Sequence, residues 1–186
     1  LWPSIKLAIN FSLNLQTYNG TIPWSIDKNE ELENDFLLTG SCSILKSIDC
    51  GLAISKILDK KNDVKSWTKS YELLSNAIKN PAGKFDQIEN RKRFSMDSYY
   101  PILSGCLDKE EIKFYLDKTF SNFYVDKIGI KCVIEEPWVT VAETSEFIIS
   151  LMISGNPDKS LELLIDVLNI CDENKICLLY TSDAAD

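Results

Sequence analysis

Histidine is absent from all 186 residues of this chain. That removes the commonest general base, the commonest zinc ligand and every Ser-His-Asp or Cys-His arrangement. Positive charge is also scarce, with 20 Lys and Arg against 28 Asp and Glu, a net charge of -8 and a pI near 4.7. Phosphate binding needs clustered cations, and the densest basic run is only Arg91-Lys92-Arg93, so neither nucleic acid nor an anionic membrane is an expected partner. No apolar run approaches the roughly 20 residues of a membrane-spanning helix, so no membrane span is expected. The six cysteines stand singly among apolar neighbours, without a Cys-x-x-Cys pair, which reads as reduced, buried thiols of a cytoplasmic protein. There is no Asp-rich magnesium motif and no Asp-x-Asp-Asp run, so neither a metal nor another cofactor is expected.

What is present is the make-up of a globular domain with a real core, at 45% hydrophobic and 26% charged. Period-3.6 apolar spacing predicts seven helices, over 4–16, 37–58, 63–79, 97–107, 109–124, 137–154 and 157–172. In the fifth, Ile112, Tyr115, Leu116, Thr119, Phe120 and Phe123 form one face while Lys113, Asp117 and Lys118 face away. Val64, Trp67, Tyr71, Leu74 and Ile78 form the stripe of the third, and Leu161, Leu164, Ile165 and Leu168 that of the seventh, after an Asn156-Pro157 start. The second and sixth carry few charges and read as buried on most sides. Outer amphipathic helices alternating with inner apolar ones predict an all-α fold, a double ring of helical hairpins. One strand is expected, over 128–134. The loops 17–35 and 81–92 are long for a compact domain.

The stretches Arg93 to Pro101 and Glu135 to Glu146 gather carboxylates, aromatics and a proline. Three groups of candidate site residues follow. Asp35, Thr39, Ser41 and Ser43 precede or open the second helix, where N-capping by Thr39 or Ser41, without any function, is the favoured account. Arg93, Asp97, Tyr99 and Tyr100 resemble a small-molecule lining, although Asp97 also suits a cap of the fourth helix. Glu135, Glu136, Trp138, Thr140 and Glu143 surround Pro137, read as a first helical position with Glu135 and Glu136 stabilised by the helix dipole. Glu143, in an apolar helix, needs either a partner such as Arg91 or Arg93, or a pocket. Asp97, Glu136 and Glu143 are the candidate catalytic residues; Arg93, Tyr99, Tyr100, Trp138 and Thr140 are the candidate substrate-binding ones. A carboxyl pair across the axis of the ring would act as acid and base on a glycosidic or similar bond, with Trp138 and Tyr99 stacking on a sugar.

The spacing Gln16-x-x-x-Gly20-x-x-x-Trp24 resembles, in loosened form, a motif at helix ends in terpenoid cyclase toroids. Leu37 to Ile44, Arg93 to Pro101 and Glu136 to Glu146, in this order, look like a family of bacterial prenyltransferase-like proteins. The likeness extends to about Lys175. It implies an α/α toroid of the kind shared by terpenoid cyclases, protein prenyltransferases and six-hairpin glycosidases, and a small-molecule substrate, isoprenoid or carbohydrate, in an axial pocket. The family label is a fold analogy and does not fix the chemistry. Prenyl transfer, a six-hairpin glycosidase-like activity and non-catalytic ligand binding are the three functional expectations. Residues 1–176 read as part of one toroid domain, about seven of roughly twelve helices. Residues 177–186 break the helical pattern and resemble the translated adapter tail of environmental gene fragments; a genuine short tail is the alternative.

Overall fold

The computed structural model describes residues 1–25, 35–62 and 64–169. Among these the architecture is all-α, with a single two-stranded hairpin. The helices are α1 (Trp2–Asn14), α2 (Leu38–Ile57), α3 (Val64–Lys79), α4 (Met96–Ser104), α5 (Lys109–Phe123), α6 (Val141–Ile153) and α7 (Pro157–Asn169). The strands are β1 (Tyr124–Val125) and β2 (Gly129–Ile130), antiparallel with Tyr124 opposite Ile130. No described helix is long and apolar enough to cross a membrane. Residues 177–186, the expected tail, lie outside the described residues. The chain divides into two compact units, one of residues 1–90 with 104–106, the other of 91–103 with 107 onward.

In the first unit α2 and α3 form an antiparallel hairpin against which α1 packs. The hairpin turns where Asp59 takes a positive φ of 51° and the Lys60 amide reaches back to the Ser55 carbonyl at 2.8 Å, closing the helix end. Trp67 is buried at the junction of the three helices, and its Nε1 donates to Asn10 Oδ1 at 2.8 Å. Gly51 permits this approach, since a Cβ there would lie 2.3 Å from Ile9 Cδ1 and 3.1 Å from the Trp67 ring. Neither Thr39 nor Ser41 caps α2; its N-cap is Leu37, and the Leu38 amide donates to Asp86 Oδ1 at 3.4 Å while the Asp86 amide donates to the Phe36 carbonyl. The second helix is also less enclosed than its composition predicts, because Ser43, Lys46, Ser47 and Cys50 form an exposed row.

The second unit is built around Tyr99, Phe123, Ile130, Phe147, Leu151 and Leu163. Helix α5 starts at a capping box in which Asp108 accepts from the Glu110 and Glu111 amides and Glu111 accepts from the Asp108 amide. The expected strand over 128–134 is shorter than predicted; beyond Ile130 the chain continues as isolated bridges, Phe94 to Val133 and Lys131 to Val139. Those bridges hold 137–140 extended, so Pro137 does not open the sixth helix. Thr140 is its N-cap, accepting from the Glu143 amide at 3.1 Å.

Helix α7 packs on α6 by a row other than the predicted one. Ser160, Leu163 and Val167 are buried, and the Ser160 hydroxyl donates to the Ile148 carbonyl at 3.1 Å. Leu161, Leu164, Ile165 and Leu168 are exposed to between 41% and 61%. The small serine lets the helices approach closely, which favours this row although the other carries more apolar residues.

Candidate functional site

The two acidic-aromatic stretches meet in the second unit. Backbone hydrogen bonds lace three short extended segments together: the Ser95 amide to the Cys132 carbonyl at 3.0 Å, the Ile134 amide to the Arg93 carbonyl at 3.0 Å, and the Cys132 amide to the Trp138 carbonyl at 2.7 Å. Thr144 ties this layer to α6, its Oγ1 accepting from the Ile130 amide at 2.9 Å and donating to the Thr140 carbonyl at 2.6 Å. Gly129, at φ +148°, leaves room for that hydroxyl, since a Cβ there would sit 2.5 Å from it.

The arrangement converges on Glu146, whose two oxygens accept from Tyr99 Oη at 2.7 Å and Tyr100 Oη at 3.0 Å. Tyr99 is wholly buried. Burial and the bond to Glu146 push its hydroxyl far above the ordinary tyrosine range, so it remains a donor throughout the physiological range. The two tyrosine rings lie 5.5 Å apart, and Tyr99 also packs on Phe147. Glu143, one turn before Glu146, is half-buried beside Tyr99 and Cys132. Burial first, and then donation to Glu143, push the Cys132 thiol up to about 11.

The other candidates are placed differently. Asp97 is buried near Lys118 of α5; burial lowers the Lys118 ammonium and the Asp97 charge opposes that effect. Lys118 was expected to face away, but its ammonium lies 5.9 Å from the Tyr115 ring centroid, and the side chain is half-buried. Arg93 pairs with Glu135 at 3.3 Å, on the surface, where a partner for Glu143 had been expected. The Glu135 carboxyl is lowered by its own backbone N–H and then by Arg93. Glu136 is half-buried on the extended segment, and Trp138 is 41% exposed beside it. Thr140 presents its hydroxyl to the Glu143 amide.

Glu146 and Cys132 were not singled out from sequence. A buried tyrosine hydroxyl demands an acceptor, and the spacing Glu143 to Glu146 puts two carboxylates on adjacent positions of one helix face; together those were the available signal. Among the described residues no group of three or more His, Cys, Asp or Glu side chains is arranged to hold a metal ion.

No protein-family profile matches the chain. It is similar to a protein of Mycolicibacterium hassiacum named MMP endo-(1,4)-3-O-methyl-alpha-D-mannosidase, 31% identical over 174 residues. The match covers 94% of this chain and 47% of the relative, so the chain spans about half the relative's length.

Proposed function

We propose that this chain is part of a glycoside hydrolase-like protein acting on a neutral, α-linked oligosaccharide, with the acidic-aromatic face of the second unit as its catalytic surface. The similarity to a mannosidase over 94% of the chain carries this reading. It favours the glycosidase-like expectation over prenyl transfer, for which the family resemblance offers only a label. The helical hairpins α2–α3 and α6–α7 support the further expectation that residues 1–176 belong to an α/α toroid completed by more chain.

Of the three candidate carboxylates, Glu143 is assigned the general-acid role and Glu136 the general-base role. Glu143 is half-buried at the start of α6, and its backbone is fixed by the Thr140 cap. Glu136 is the second carboxylate and exposed Trp138 the stacking platform. Protonated Glu143 gives its proton to the glycosidic oxygen as the bond to the anomeric carbon breaks. Glu136 takes a proton from the water whose oxygen bonds that carbon. Tyr99, Tyr100 and Glu146 are positioning residues that fix this face of α6. Asp97 is assigned to joining α4 and α5, because it is buried near Lys118.

The test is hydrolysis of α-(1,4)-linked oligomannosides, with and without 3-O-methyl groups, by the longer protein of which this chain is proposed to be part, followed by product chromatography. Glu143→Gln is expected to slow turnover about 100-fold or more while glycan binding persists. Undiminished turnover in that variant would overturn the assignment. Neither binding nor turnover of any of these glycans would overturn the reading itself.

A further inference from the structure

The hairpin α6–α7 has an apolar face that no other described residue buries. Leu161, Leu164, Ile165 and Leu168 of α7 are joined there by Ile149 and Met152 of α6, which are 53% and 54% exposed. A single exposed leucine needs no explanation, but six large apolar side chains on two adjacent helices do. On α7 their spacing is i, i+3, i+4 and i+7, the row by which one helix packs on another.

Both rows fall on the same side of the hairpin. Helix α6 ends where Gly155 takes a φ of +79° and the Asn156 amide returns to the Leu151 carbonyl at 2.9 Å, so that α7 runs back along it. The Ser160 hydroxyl on the Ile148 carbonyl marks the seam between the two helices. Each residue advances about 100° round a helix, so passing round α6 from the core residues Phe147 and Leu151 leads to Ile148 at the seam and then to Met152 and Ile149. The same sense round α7 leads from Leu163 and Val167 to Ser160 at the seam and then to Leu164, Leu168, Leu161 and Ile165. Because the helices are antiparallel, this shared sense of rotation brings both rows to the side away from the core. Next round α7 come Asp158, Glu162 and Asp166, an acidic border that Lys159 offsets at Glu162, its Nζ lying 2.8 Å from that carboxylate.

We propose that this face is the packing surface for an amphipathic helical hairpin supplied by the longer protein, apolar toward the α7 row and basic along the edge that meets Asp158 and Asp166; the inference rests on the reading of this chain as part of a longer toroid. The mannosidase relative is about twice as long as the stretch it shares with this chain, and a ring of helical hairpins closes by packing each hairpin on the next. A second copy of this chain is a poorer occupant, since it would set one acidic border against another at a net charge of -8 on each copy. An anionic membrane meets the same repulsion. Glu143 and Glu146 stand on α6, so the hairpin that covers this face also steadies the proposed catalytic surface.

Cysteine accessibility tests this. Leu164→Cys is labelled with N-ethylmaleimide in the 186-residue chain and in the longer protein, followed by peptide mapping, with Lys113→Cys on the exposed side of α5 as the control. Position 164 is expected to react about tenfold or more slowly in the longer protein than in the 186-residue chain, with position 113 unchanged. Adding Asp166→Lys to the longer protein is expected to restore much of the labelling at 164, and no effect of that change overturns the basic edge. Equal rates at 164 in the two proteins overturn the surface. Slow labelling in the 186-residue chain that quickens on dilution assigns the face to a second copy, and slow labelling at every dilution assigns it to cover within the chain; either overturns the proposal. Mannoside turnover by the same longer protein keeps the two readings apart: an open face with intact turnover sinks this surface alone, and a covered face with neither glycan binding nor turnover sinks the glycosidase reading alone.

Discussion

Removing the Tyr99 hydroxyl tests the polar centre of the second unit most directly. Tyr99→Phe preserves the packing on Phe147 and deletes one bond, so its cost isolates the 2.7 Å contact to Glu146. Hydrogen bonds to a charged partner contribute about 1.5–3 kcal/mol, and complete burial of the ring places this one in the upper half of that range. The pH dependence is more diagnostic. Because the folded chain holds the Tyr99 proton more tightly than the ordinary value of 10.0, the stabilisation is fully present below pH 10 and is lost as pH rises beyond it. The unfolded chain ionises there while the folded chain does not, so the slope approaches about 1.4 kcal/mol per pH unit. Urea titrations of the 186-residue chain between pH 8 and 11 should show that alkaline decline, shallower in Tyr99→Phe by up to this amount. Cys132 contributes to the same limb, so both proteins should carry Cys132→Ala. An identical alkaline slope with and without the Tyr99 hydroxyl, or a loss under 0.5 kcal/mol at pH 8, would refute the account.

Two further outcomes follow from the packing and the thiols. Gly20→Ala should destabilise the chain by roughly 2 kcal/mol or more in the same urea assay, because it adds a left-handed backbone penalty to a clash with the Leu73 carbonyl; a change below 0.5 kcal/mol would show that the loop yields freely. Iodoacetamide at pH 8, followed by peptide mapping, should label exposed Cys50 well before Cys132, whose thiol is pushed up to about 11; equal labelling would contradict the burial and the bond to Glu143.

Periodicity located all seven helices of the described residues because an apolar row must be buried, and that demand is written at every third or fourth residue. It failed where two rows competed. Helix α7 has Leu161, Leu164, Ile165 and Leu168 on one row and Leu163 and Val167 on the next, and the small Ser160 on the second row decided the docking. At Pro137 the local rule for a helix start lost to long-range backbone pairing through Cys132 and Lys131, which kept the chain extended to Thr140. The convergence of the two acidic-aromatic stretches was legible from composition. Their partners were not, because pairing depends on the third dimension: Arg93 reaches Glu135 rather than Glu143, the tyrosines reach Glu146, and Asp97 lies near a lysine whose spacing assigned it to solvent.

Gly129 and Thr144 have a consequence for how this sequence can drift. Any side chain at position 129 would occupy the space of the threonine hydroxyl, and that hydroxyl is the acceptor for the Ile130 amide. A substitution at 129 therefore evicts the group that satisfies the neighbouring backbone, and a substitution at 144 that removes the hydroxyl strands the same amide. Neither position is free to change first. Relatives that keep this hairpin should carry the pair unaltered or replace both residues together, and a chain with only one changed should have reshaped the turn between β1 and β2.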